Sequence, residues 1–138
     1  MRILGIDYGD SRVGLAITDP LGFTAQCLET ISHKGNDKIV LKRLDEIFEQ
    51  YQIDTIVIGM PYNMDGTKTF RAEITEKFIH KLKCKYNKVK IETMDERLTT
   101  VAAHKTMNFL DVNKTKKRGI VDTISAVYIL EMYMNKNK

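Results

Sequence analysis

The sequence predicts a single α/β domain, residues 1–138, with a mixed five-stranded sheet flanked by helices. Three short apolar runs come first, and strands linked by such short turns must pair as antiparallel neighbours. From residue 37 onward, apolar residues recur at helical spacing and alternate with two further strand-like runs. A meander followed by alternating helices and strands is typical of a mixed sheet with helices packed on its faces.

The individual elements follow from changes in the period of the apolar residues. Strands are predicted at 2–8, 13–17, 23–31, 54–59 and 88–94, and helices at 37–51, 68–85, 98–109 and 120–134. Asn36 or Asp37 is a natural N-cap for the first helix. Phe70 and Phe78 are assigned to one apolar face of the second helix, and 111–119 to a basic linker.

Composition narrows the class of protein. With 43% apolar and 29% charged residues the chain is expected to fold, and no apolar run approaches the roughly 20 residues that span a bilayer. The chain enters a strand pattern at once, so we expect a cytoplasmic protein with no membrane partner. A net charge of +4 is compatible with a polyanionic partner. Cys27 and Cys84 form no metal motif, and His33, His80 and His104 are expected at the surface.

Asp7 interrupts the apolar first strand. A lone carboxylate is costly to bury unless it is paired, hydrogen-bonded or bound to metal. Gly9 and Gly14 follow, and small residues there are expected to let a phosphate backbone approach. Taken alone, this stretch fits a metal or phosphate site and a turn-capping aspartate equally well.

Three further acids are predicted at element ends. Asp95 and Glu96 close the fifth strand, and Asp122 falls in the first turn of the last predicted helix. Each has an ordinary alternative, since Asp122 could complement the helix dipole, Asp95 could cap a turn and Glu96 could pair with Arg97. If they converge with Asp7, their mutual repulsion favours a bound divalent cation, and carboxylate oxygens suit Mg²⁺ or Mn²⁺.

Basic and aromatic residues point to nucleic acid. Lys114, Lys116, Lys117 and Arg118 precede Asp122 and could hold phosphates. A second group of lysines at positions 81–90 is assigned to a solvated helix face. For stacking on a base, Tyr62 is preferred to Tyr8, and Phe23 is expected to pack in the core.

Four stretches together resemble the YqgF family, also called RuvX: 5–16 (GIDYGDSRVGLA), 57–67 (VIGMPYNMDGT), 95–103 (DERLTTVAA) and 121–131 (VDTISAVYILE). The resemblance implies a ribonuclease H-like fold and a nuclease of the bacterial cytoplasm, linked to maturation of the 5′ end of pre-16S ribosomal RNA. It implies that Asp7, Glu96 and Asp122 bind metal, with Asp95 as an adjacent helper.

We therefore predict a Mg²⁺- or Mn²⁺-dependent phosphodiester hydrolase in which Asp7 bridges two ions and Glu96 and Asp122 each complete one shell. Arg12, Lys116, Lys117 and Arg118 would position the nucleic-acid backbone, with Tyr62 and Arg97 beside the substrate. Precursor rRNA, with ribosomal particles as further partners, is the expected substrate. Two alternatives stay open: a dimeric Holliday junction resolvase acting on branched DNA, and a non-catalytic nucleic-acid-binding module. Monomer and homodimer are both compatible with the sequence.

Overall fold

The computed structural model describes residues 1–63, 65–95 and 114–136, with the backbone alone at 114–121. The described residues form five strands and three helices. The strands are β1 (Arg2–Tyr8), β2 (Arg12–Thr18), β3 (Ala25–Ser32), β4 (Ile53–Met60) and β5 (Lys90–Asp95). The helices are α1 (Asp37–Gln50), α2 (Phe70–Lys85) and α3 (Lys114–Lys136). The helix predicted at 98–109 lies outside the described residues.

The strands form one mixed sheet in the order β3-β2-β1-β4-β5. β1 and β3 each pair with β2 in the antiparallel sense, while β4 runs parallel to both β1 and β5. The predicted fold class is confirmed, and β1 lies at the centre of the sheet. Because β1, β4 and β5 are parallel, their carboxyl ends meet at one edge of the sheet, where Asp7 and Asp95 lie.

The two faces of the sheet are covered by different helices. One face packs Leu4, Ile6 and Tyr8 of β1 against α1 and α2, in a core that includes Leu44 and Phe78. The other face carries α3, which forms a smaller cluster between the sheet residues Ala16 and Val57 and the helix residues Ala126, Ile129, Leu130 and Tyr133. Since side chains alternate along a strand, Gly5 and Asp7 face α3.

Two glycines allow α3 to lie unusually close to the sheet. A Cβ atom on Gly14 would stand 2.0 Å from the carbonyl oxygen of Asp122, and one on Gly5 would stand 3.0 Å from the carbonyl oxygen of Ala126. The expectation that Gly14 makes room for a phosphate backbone is therefore wrong. It makes room for the backbone of α3, which fixes the height of that helix above β1 and β2.

The start of α3 differs from the prediction. Residues 114–119 are helical and do not form a linker, so α3 begins six residues before the predicted boundary at 120. Lysine and arginine are good helix formers, and a single internal glycine costs only about 1 kcal/mol, which a long packed helix tolerates. Asp122 consequently lies in the third turn of α3, too far from its N-terminus to serve as a first-turn dipole residue.

Two phenylalanines are more exposed than predicted. Phe23 precedes β3 and is 78% exposed, so it is not a core residue. Phe70, the first residue of α2 directly after the N-cap Thr69, is 76% exposed and is not part of the buried face of the helix. That face consists of Ala72, Thr75, Phe78, Ile79 and Leu82.

Among the described helices, none combines the length and the apolarity that crossing a membrane requires.

The packing of α3 predicts the effect of adding one methyl group at Gly14. Gly14→Ala should lower the free energy of unfolding by about 3 kcal/mol or more, because a backbone carbonyl cannot move aside as a side chain can. Gly22→Ala is the control, since its Cβ would meet nothing within 4 Å and only its φ of 75° is unfavourable. That control should lose about 1 kcal/mol. Equal losses in urea unfolding would contradict the packing argument.

Candidate functional site

Asp7 and Asp122 are brought together on one face of the sheet. Asp7 pairs in register with Gly14 of the neighbouring strand, and Gly14 lies directly beneath Asp122. The Cβ of Asp122 is 3.0 Å from the position that a Cβ on Gly14 would take. Because cross-strand Cβ atoms lie about 5 Å apart, the Cβ atoms of the two aspartates are within roughly 9 Å of each other. Two predicted ligands that are 115 positions apart in the chain thus meet through the packing of α3.

Arg12 joins this pair through an ion pair that the sequence did not reveal. Its Nε donates a hydrogen bond of 2.8 Å to Oδ2 of Asp122. The Asp122 side chain is 19% exposed and that of Arg12 37%. Arg12 is aimed at α3 because it lies two residues before Gly14 on the same face of β2. The alternation of side chains along β2 can be read from the sequence. It identifies Asp122 as the partner of Arg12 only once the position of α3 is known.

A buried hydroxyl lies close to the same carboxylate. Ser125 is 1% exposed, and its Oγ has no hydrogen-bond partner within the described residues. It follows Asp122 by three positions, so the two side chains are neighbours on α3. A buried hydroxyl without a partner carries a desolvation cost of about 1–3 kcal/mol. Water or a hydrated ion beside Asp122 would supply the missing partner.

Asp95 lies on the opposite face of the sheet. It pairs with Met60, whose side chain belongs to the core beneath α1 and α2. Paired residues of neighbouring strands share a face, so Asp95 is directed away from the Asp7 side. This geometry counts against Asp95 as a ligand shared with Asp7. Glu96 and Arg97 lie outside the described residues.

The residues present suit a hard divalent cation in part. Asp7 and Asp122 supply carboxylate oxygens, and Asp122 already attracts one cation, the guanidinium of Arg12. Ser125 adds a buried polar atom with an unmet hydrogen bond. Within the described ranges no three acids, histidines or cysteines cluster. Glu96 as the third ligand stays a prediction.

His33 is buried, which corrects its assignment to the surface. Its ring Nδ1 accepts a hydrogen bond of 3.0 Å from the N–H of Gly35, so in the neutral ring Nε2 carries the proton and donates to the carbonyl of Gly9 at 2.9 Å. The backbone N–H of His33 also donates to Ser11. His33 therefore stabilises the turn between Asp7 and Arg12 from the side of the sheet that faces α1 and α2.

Tyr8 is unavailable for stacking on a base. It is 6% exposed, packs against Phe78 and His33, and donates a hydrogen bond to the carboxylate of Asp37. Burial first, and then the contact with Asp37, raise the pKa of Tyr8 well above its ordinary value. The hydroxyl therefore stays protonated and anchors the end of β1 to the first turn of α1.

Tyr62 lies on the α2 side of the sheet. It forms a bridge with Lys68 and lines a cleft of about 370 Å³ with Met60, Glu76, Ile79, His80, Lys83 and Thr93. Its ring is half-buried, so part of it can contact a ligand. The cleft opens on the same face as Asp95 and not on that of Asp7. Contact between Tyr62 and a substrate held at Asp7 stays a prediction.

The two basic groups differ in what the structure describes. Of the group at 81–90, three lysines pair with acids: Lys81 with Asp37 at 2.8 Å, Lys85 with Asp45 at 2.7 Å and Lys90 with Glu92 at 3.1 Å. These pairs fit the assignment to a solvated face. Lys116, Lys117 and Arg118 belong to the first turns of α3, in the backbone-only segment before Asp122. Their contact with phosphates stays a prediction.

The family model and the named relatives that match this chain agree with each other. The model of the RuvX family, described as a Holliday junction resolvase, matches residues 1–136. A relative from Ruminiclostridium cellulolyticum is 55% identical over 99% of this chain and 95% of its own length. One from Acetivibrio thermocellus is 50% identical over 98% and 96%. Both carry the name "Putative pre-16S rRNA nuclease".

Solved structures share the fold. Thermus thermophilus RuvC in complex with a Holliday junction substrate superposes with a TM-score of 0.61 at 12% identity, covering 99% of this chain and 96% of that one. Fowlpox virus resolvase with its substrate Holliday junction DNA gives 0.58 at 14% identity, covering 99% of each chain. At these identities the likeness shows a common ribonuclease H-like fold. Together with the full-length family match, it establishes that the chain belongs to the RuvX family.

Proposed function

We propose that this protein is a divalent-metal-dependent nuclease that matures the 5′ end of pre-16S rRNA in the bacterial cytoplasm. The observation that carries the proposal is the meeting of Asp7 and Asp122 on the α3 face, at the edge where the parallel strands end. Two carboxylates on one face repel each other, and a divalent cation between them relieves that repulsion. Membership of the RuvX family supports hydrolysis of phosphodiester bonds as the reaction.

In the proposed reaction, different residues would bind the cation and the nucleic acid. Asp7 and Asp122, with Glu96, would hold Mg²⁺ or Mn²⁺. The bound cation would lower the pKa of water and neutralise charge on the phosphate. Arg12, Lys116, Lys117 and Arg118 would hold the nucleic-acid backbone, where cations fix position and carry no sequence information. The Tyr8 and His33 contacts keep the turn after Asp7 in place while the substrate binds.

The names of the relatives favour RNA as the substrate. The second candidate is a four-way DNA junction, which the description of the family model favours. The same carboxylates could serve either reaction, because the bond that is broken is a phosphodiester in both. Symmetric cleavage of a junction additionally requires a two-fold dimer. We propose that the protein acts on the precursor RNA within ribosomal particles.

Replacement of Asp7 tests the catalytic assignment. Asp7→Asn keeps the shape of the side chain and removes its charge, so cleavage of a pre-16S leader RNA should fall by at least about 100-fold. Asp54→Asn is the matched control, because Asp54 is exposed at the opposite end of the parallel strands. Cleavage rates of both variants should be measured alongside their thermal unfolding. Undiminished cleavage by a folded Asp7→Asn protein would overturn the mechanism.

Substrate and metal can be tested in one assay with the purified protein. We expect the leader RNA to be cut in Mg²⁺ or Mn²⁺, no cutting after chelation, and recovery when the cation is restored. A four-way DNA junction of comparable length should be cut more slowly. Preferential paired cuts in the junction, made by a protein that sediments as a dimer, would replace rRNA maturation with the resolvase function.

A further inference from the structure

The ion pair between Arg12 and Asp122 is a contact that the proposed reaction leaves unexplained. Its Nε holds Oδ2 of Asp122, so a cation and a proposed metal ligand are already paired across β2 and α3. No other hydrogen bond of this guanidinium is present within the described part of the chain, and its two terminal nitrogens can still donate. The side chain is 37% exposed, so part of it is accessible from solvent.

From this geometry we infer that Arg12 couples the binding of nucleic acid to the binding of the divalent cation. The inference rests on the proposed function. A guanidinium bonded to Asp122 repels a divalent cation and takes one of the carboxylate oxygens that the cation needs. A phosphate of the nucleic acid offers the guanidinium a second anionic partner with matching fork geometry. A phosphate that accepts two bonds from the Nε edge of the guanidinium displaces Oδ2 of Asp122 and so frees the carboxylate, and each ligand then strengthens the binding of the other.

The location of Arg12 suits this coupling. The residue is fixed by a tight turn in which the N–H of Gly9 donates to its carbonyl at 2.9 Å, and His33 holds the same turn through Gly9. The backbone of Arg12 is thus held, while its partly exposed side chain can exchange partners by rotation. Arg12 acts as a positioning residue, because its effect on the cation is exerted through Asp122.

The test measures binding of Mn²⁺ to the full chain by calorimetry and by the electron paramagnetic resonance signal of free Mn²⁺. Each protein is titrated alone and then with a short phosphorothioate-substituted leader RNA, whose integrity is checked afterwards. Arg12→Gln removes the charge. Arg43→Gln is the matched control, because Arg43 is also paired with carboxylates but lies on α1, which covers the opposite face.

We expect Arg12→Gln to bind Mn²⁺ about two- to fivefold more tightly than the unaltered protein when RNA is absent, a range set by the partial exposure of the pair. RNA should tighten Mn²⁺ binding by at least about fivefold in the unaltered protein and in Arg43→Gln, and by much less in Arg12→Gln. Arg12→Lys, which keeps the charge without the fork, should bind Mn²⁺ like the unaltered protein but respond weakly to RNA. It serves as the test variant if Arg12→Gln fails to unfold cooperatively.

Three results would overturn the inference. Weaker or unchanged Mn²⁺ binding by a folded Arg12→Gln protein would mean that Arg12 orients Asp122 and does not compete for it. An unchanged response to RNA in the Arg12 variants would remove the coupling. Both leave the proposed nuclease function standing. Absence of Mn²⁺ binding by the unaltered protein would instead defeat the metal-dependent function, and the coupling with it.

Discussion

The close approach of α3 to the sheet at Gly14 is the contact on which the site depends. Gly14 is the partner of Asp7 in the β1–β2 ladder, and the backbone of Asp122 takes up the space that any larger side chain would fill. A helix that stood off by a methyl group would lift Asp122 away from Asp7. The same helix buries Ala126 and Leu130 against Gly5, so the apolar packing of α3 and the position of its carboxylate are set together.

This arrangement explains the distribution of charge around Asp7. Two aspartates on one face are unfavourable without a cation, and Arg12 provides one from the adjacent strand. The turn between Asp7 and Arg12 is held from the other side of the sheet by His33 and by the bond from Tyr8 to Asp37. Asp7 and Arg12, which flank the turn, face α3, and the buried supports of the turn face the larger core.

Elements with a clear local period were predictable from sequence, and contacts made through space were not. Alternation and short turns identified the antiparallel meander, and the strand pattern identified Asp7 as an acid at the end of a strand. The basic stretch at 114–119 was misassigned because a charged helix turn and a charged linker have the same composition. Where α3 packs decides the role of Gly14 and the pairing of Arg12 with Asp122. Where the loop between β3 and α1 packs decides the burial of His33. No period in the sequence carries that information.

We propose that Asp7 and Asp122 bind one divalent cation between them. The most direct measurement is an anomalous difference map at the manganese absorption edge, from crystals grown with Mn²⁺. We expect a peak within ligand distance, about 2.0–2.3 Å, of carboxylate oxygens of both aspartates. A peak bound by only one of them, a peak at Asp95 on the opposite face, or no peak at a saturating concentration would contradict it.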